Sequence, residues 1–280
     1  MKPGHPLAGH ARAGHALAAA SAIMRRELRR FVEQRSRLAS ALVRPVLWLM
    51  VFAAGFQNVF GVSIIPPYQT YITYQVYVLP GLAAMVLLFN GMQSSLSLVY
   101  DREMGMMRLL LTAPLPRWWL LLAKLAAGVM LSLVQVYAFL GIAALFDVRL
   151  PLSGYIAVLP ALVLAALMLG AIGLLLSATI RQLENFAGAM NFVIFPMFFL
   201  SSALYPLWKI GEAAAAPVYY LCQINPFTYA VELIRFAAYG RLEPVSLAVV
   251  GGVTLAAFAA ALVAYDPQRG LLGRARPQPA

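Results

Sequence analysis

Six stretches of roughly 20 mostly apolar residues constrain this chain more than anything else in it. They run from about 39 to 60, 76 to 99, 120 to 146, 155 to 178, 186 to 204 and 245 to 265. Each is long enough for an α-helix to cross bilayer hydrocarbon, where only helices and closed barrels satisfy their own backbone. Composition agrees, since 62% of residues are hydrophobic and only 11% are charged. Soluble domains carry about a quarter charged residues, so this chain has too few charges to coat a globule. The expected fold class is all-α, a polytopic membrane protein with six transmembrane helices.

The net charge of +11 does not point to nucleic acid, because the basic residues sit in blocks between spans rather than over a soluble face. Seventeen of the 21 Lys and Arg fall on one side, nine of them up to Arg44, four from Arg102 to Lys124, then Arg181 and three after Asp266. Only Arg149, Lys209, Arg235 and Arg241 fall on the other side. Basic residues stay inside, so both termini are expected in the cytoplasm.

The organisation follows. Residues 1–15 read as a disordered tail, whose His5, His10 and His15 lack the close spacing of helical metal ligands. Residues 16–38 read as a cytoplasmic interfacial helix, with Ile23, Leu28, Phe31 and Val32 set among arginines. The six-span domain covers 39–265, with Arg44-Pro45 near the mouth of the first span and Pro196 placed to kink the fifth. Residues 266–280 form a cytoplasmic tail. Segment 205–244 is broken by Pro206, Pro217 and Asn225-Pro226, and its helical stretch 228–239 is too short to cross. It reads as re-entrant or interfacial half-helices on the outer side.

Catalytic machinery is missing from the pattern. None of Lys2, Lys124 and Lys209 follows the glycine pattern of a nucleotide-phosphate loop. No histidine lies in a span, which excludes a Ser/His/Asp triad or a histidine-bound metal there. No catalytic residue, metal site or cofactor is therefore expected. Of ten carboxylates only Glu232 lies in an apolar setting, and Arg235 stands one helical turn away to pair with it. That pair is open to a structural or a gating reading. Asn90, Gln93, Ser132, Gln135, Asn191, Gln57 and Asn58 suit hydrogen bonds between helices. Ala166/Gly170 and Gly173/Ser177 suit close helix approach. The lone Cys222 reads as a packed thiol or a bridge between copies.

The inner loop 100–117 carries the most information. Asp101 and Glu103 sit where a helix N-terminus would favour negative charge. Met106, Leu109 and Leu110 then fall on one side of a short helix, which Pro114 and Pro116 stop. Such an apolar ridge lies on lipid or fills a groove in a partner.

Glu103-x-Gly105 followed by Leu109/Leu110 and Pro114 resembles the coupling-helix loop of ABC-2 type permeases, the membrane subunits of type V ABC exporters. Asn225-Pro226-Phe227-Thr228-Tyr229, with Arg235 beyond, resembles the family's segment before its last span. Phe199-Leu200-Ser201-Ser202 and Tyr205-Pro206 resemble the end of its fifth span, and the likeness covers about residues 20–265. It implies an ATPase-coupling loop of Asp101, Glu103, Gly105, Met106, Arg108, Leu109, Leu110 and Pro114. It also implies an outer re-entrant segment carrying Asn225, Pro226, Tyr229, Glu232 and Arg235. Two copies of the chain in a bacterial inner membrane would each sit on a separate ABC ATPase subunit that binds ATP and Mg. They would export a small molecule or a lipid- or glycan-type substrate. Ile64-Ile65-Pro66-Pro67-Tyr68 and Arg181-Gln182-Leu183-Glu184-Asn185-Phe186 resemble a subgroup associated with quinoprotein alcohol oxidation. The alternatives are an ion-coupled carrier, motivated by Glu232, and a membrane scaffold for a cytoplasmic partner.

Overall fold

The computed structural model describes residues 42–51, 66–68, 72–103, 116–180, 182–207 and 216–265, with 21, 22, 24, 25, 29, 70 and 211 in addition. Among the described residues the regular structure is helical, without strands. The helices are α1 (Leu42–Val51), α2 (Tyr74–Glu103), α3 (Arg117–Leu145), α4 (Leu159–Thr179), α5 (Leu183–Phe199), α6 (Ala216–Ile224), α7 (Pro226–Ala237) and α8 (Pro244–Ala264). A single turn, Gly154–Ala157, leads into α4. By length and composition α2, α3, α4 with its leading turn, and α8 are able to cross a bilayer. The chain is an all-α polytopic membrane protein, as its sequence predicts.

Helix α4 is the hub of the packing and lies most extensively against α2 and α8. The crossing with α2 is close because small residues meet there. A Cβ on Gly91 would stand 2.9 Å from the Leu169 backbone, and one on Gly173 would stand 2.7 Å from the Gly91 carbonyl. Gly170 likewise leaves room for Leu125 of α3, 2.5 Å from where its Cβ would be. Without a hydrophobic drive between helices in lipid, such close van der Waals contact is what holds them together. At the Glu103 end, Leu98, Leu121, Leu125, Leu174, Ala178, Ala261 and Tyr265 form one cluster. The end of α2, the start of α3 and the ends of α4 and α8 therefore meet there.

Three expectations need correction. Helix α2 does not stop near Val99 but runs through Glu103, since no glycine or proline interrupts residues 92–103. Asp101 and Glu103 thus sit at the far end of α2 rather than at the start of a new helix. Helix α5 starts at Leu183 and ends at Phe199, not at Leu204. The Ser201 hydroxyl donates to the Phe198 carbonyl at 2.6 Å and accepts the Ala203 N–H at 3.2 Å, local bonds that compete with the helix. At 17 residues, α5 spans roughly 25 Å. Finally, Arg44 is not at a mouth: its guanidinium lies 3.9 Å from the Phe89 ring centroid, and Phe89 is halfway along α2.

Of the expected interfacial helix 16–38, Ser21, Ala22, Met24, Arg25 and Arg29 are helical. The rest of it, the first span beyond α1, and residues 1–15, 104–115 and 266–280 lie outside the described residues.

Candidate functional site

The irregular backbone after α5 poses a problem that the surrounding side chains solve. Peptide groups at bilayer depth need partners from the protein itself. Asn225 provides three bonds. Its side-chain oxygen accepts the Phe227 N–H at 3.0 Å and so caps α7. Its amide nitrogen donates to the carbonyls of Met197 at 2.7 Å and Leu200 at 2.5 Å. Pro226 follows as the first helical residue, where a missing N–H costs nothing. The Thr228 hydroxyl donates to the Cys222 carbonyl at 2.7 Å, and Cys222 is itself fully buried. The half-buried Tyr229 packs against the main core.

From α2, the Tyr74 hydroxyl donates to the Leu204 carbonyl at 2.5 Å and that of Tyr77 to the Ser202 carbonyl at 3.1 Å. Tyr205 donates to the Phe199 carbonyl. Gly81 completes the fit, because a Cβ there would overlap the Ala203 carbonyl oxygen.

Arg235 stands at the centre of this arrangement, 3% exposed. It pairs with Glu232, as their spacing predicts. A second arm donates to the Ser202 carbonyl at 2.8 Å. The guanidinium carbon lies 4.1 Å from the Tyr77 ring centroid, within cation–π range. Tyr68 packs edge-on against Tyr239, with ring centroids 4.9 Å apart. Burial works against the Arg235 charge, but Glu232 and the nearby tyrosines hold its pKa above the ordinary value. The pair is therefore a fixed, self-neutralised unit. It joins α7 to α2 and to the reversal after α5.

At the opposite end a Glu103 carboxylate oxygen accepts the Leu183 N–H at 2.9 Å. Negative charge at a helix start is favoured by its unpaired N–H groups, so α2 is tied to the first residue of α5. The pair α2–α5 is thus joined at both ends. Between them, Asn90 of α2 donates to Gln135 of α3, the interhelical bond expected of such residues. Ser132 instead bonds within α3, to the Gly128 carbonyl at 2.8 Å. Asn191 faces outward from α5.

The structure therefore brings Asn225, Pro226, Tyr229, Glu232 and Arg235 together on α7. Asp101 and Glu103 lie at the end of α2. Gly105, Met106, Arg108, Leu109, Leu110 and Pro114, like Gln57 and Asn58, lie outside the described residues. Sequence reading missed Tyr74 and Tyr77, and named Tyr68 and Ser202 only within motif likenesses. The three-residue spacing of Tyr74 and Tyr77 at a span end was the available signal, since it puts both rings on one helix face.

Comparison with known proteins covers the same stretch. The chain is 29% identical over 202 residues to a Porphyra purpurea protein called "Putative transport permease ycf38", taking in 71% of this chain and 66% of that relative. The namesake in Cyanophora paradoxa is 28% identical over 214 residues, 74% of this chain and 71% of the relative. The chain thus spans just under two thirds of the first relative's length. The family model for ABC-2 type transporters matches residues 18–239, a stretch that holds α1 to α7 and both tied ends of the α2–α5 pair. The chain belongs to the ABC-2 type transporter family.

Proposed function

We propose that this chain is the membrane permease subunit of an ATP-driven ABC exporter. Two copies would form the pathway in a bacterial inner membrane, with both termini cytoplasmic and one separate ATPase beneath each copy. The observation that carries the reading is the family match across residues 18–239. Relatives named as transport permeases support it, as does a sequence without a nucleotide-phosphate loop of its own. ATP and Mg would be bound by the partner subunit, and the chain itself would catalyse nothing.

Energy would enter at loop 100–117. The loop continues α2, and Glu103 at its edge holds the start of α5, so a push there reaches two helices at once. At the far end Asn225, Arg235 and the tyrosines of α2 would carry the motion into α7. Cargo would be a small molecule or a lipid- or glycan-type substrate. The subgroup likeness around 64–68 and 181–186 favours the small molecule.

Leu109→Asp in the full complex should leave the protein in the membrane and ATP hydrolysis running while transport stops. Full transport by that variant would refute the coupling role. Transport that collapses with the proton gradient while ATP is maintained would replace this reading with an ion-coupled carrier. The engagement of Glu232 by Arg235 argues against that carrier.

A further inference from the structure

Three buried side-chain polar atoms lack a hydrogen-bond partner among the described residues: the Tyr68 hydroxyl, the Ser202 hydroxyl and Arg235 Nε. They come from three separate stretches of chain, yet all belong to the cluster around Arg235. None of these residues is more than 4% exposed. Buried polar groups are nearly always paired, with protein or with ordered water, because an unpaired one is costly. Three in one place call for one common partner.

The packing gathers them. Arg235 Nη2 donates to the Ser202 carbonyl at 2.8 Å. Nε–H shares an edge of the planar guanidinium with Nη2, so it faces the Ser202 side as well. Tyr77 donates to the same carbonyl at 3.1 Å and sets its ring 4.1 Å from the guanidinium carbon. Tyr68 packs on Tyr77, with ring centroids 6.4 Å apart. Its hydroxyl is within electrostatic reach of both Arg235 and Glu232.

The chemistry of the three atoms selects their partner. Nε only donates, so the partner must accept a hydrogen bond, which excludes a metal cation. An anion would stand beside Glu232, with the Arg235 charge already balanced. Each hydroxyl can donate or accept. A neutral molecule with two lone pairs and two hydrogens serves all three, and their enclosure requires it to be small.

We propose that one ordered water occupies this junction, accepting from Arg235 Nε and bonded to the hydroxyls of Tyr68 and Ser202. Three bonds are the usual number for a buried water, which needs only about 10–15 Å³ of accessible room. The water joins segment 66–68 to α7 and to the reversal after α5. The assignment is independent of the transporter reading.

The sign of a stability change tests it. Removing an orphan hydroxyl leaves stability unchanged or raises it, whereas removing one bonded to a water lowers it. Tyr68→Phe and Ser202→Ala should each lower the Tm of the full-length chain in nanodiscs by about 2–4 °C. The double variant should lose clearly less than the sum, because both residues hold the same molecule. A high-resolution density map of the full chain should show one isolated peak within about 2.7–3.2 Å of all three atoms. An unchanged or raised Tm in either single variant, additive losses, or a protein atom at that position would overturn the proposal. So would a Tm that rises when chloride replaces gluconate in the natural chain but not in Tyr68→Phe, since the occupant would then be an anion.

Discussion

Two arginines of this bundle sit in sharply different surroundings. Arg235 is closed in: Glu232 balances it, the Ser202 carbonyl takes one arm and Tyr77 covers its face. Arg44, near the start of α1, is exposed, with its guanidinium over the Phe89 ring beside a shallow cleft. The cost of burying a cation is offset inside the chain at Arg235, whereas the exposed Arg44 makes no ion pair among the described residues. The first is built to hold helices together.

Breaking the satisfied side should do the greater structural damage. Arg235→Met strips Glu232 of its cation and Ser202 of a donor, and breaking a buried pair costs about 3–5 kcal/mol. Thermal unfolding in detergent should show a large drop in Tm. Arg44→Gln should leave Tm nearly unchanged, because it removes no ion pair. Equal losses in both variants would erase the distinction.

The helix crossing sharpens it next. In Gly173→Ala the new methyl would stand 2.6 Å from the Ser95 hydroxyl and 2.7 Å from the Gly91 carbonyl. Overpacking of this kind costs about 1–3 kcal/mol. Gly141→Ala, on α3 with nothing within 4 Å of its Cβ, should be neutral or stabilising by about 0.5–1 kcal/mol. The same unfolding assay separates them. Smaller again, Asn225→Ala loses the α7 cap and should cost about 1–2 kcal/mol. Asn225→Asp keeps the capping acceptor but loses the donations to Met197 and Leu200, so its Tm should fall between alanine and the natural residue.

What could be read from the chain beforehand was local. The Glu232–Arg235 pair follows from a three-residue spacing, and Gly170 and Gly173 from small residues along one apolar run. The spans themselves follow from their length. What escaped depended on contacts remote in sequence or on competing local bonds. Arg44 reads as near a mouth because it stands close to the start of the first apolar run. Only the position of α2 beside it reveals that it lies over Phe89. The end of α5 moved because Ser201 bonds to its own neighbours rather than continuing the helix. The Glu103–Leu183 bond joins residues 80 apart, and nothing in the pattern of either segment announces the other.

That bond sets up the last comparison, between the two ends of the α2–α5 pair. At the Tyr74 end, Asn225, Arg235, Tyr74 and Tyr77 all grip the reversal after α5. At the other end, among the described residues, one exposed hydrogen bond from Leu183 to Glu103 does the joining. A pair held firmly at one end and lightly at the other swings about the firm end, and the light end adjoins loop 100–117. Glu103→Leu should therefore change Tm by only about 1–2 °C, the smallest stability effect of the set. Under the exporter reading it should still lower the amount transported per ATP hydrolysed, since α5 no longer follows α2. Glu103→Gln, which keeps an acceptor oxygen for the Leu183 N–H, should retain most of that coupling. If Glu103→Leu transports as efficiently as the natural chain, the link is a passive cap and α5 takes its motion from the Asn225 end instead.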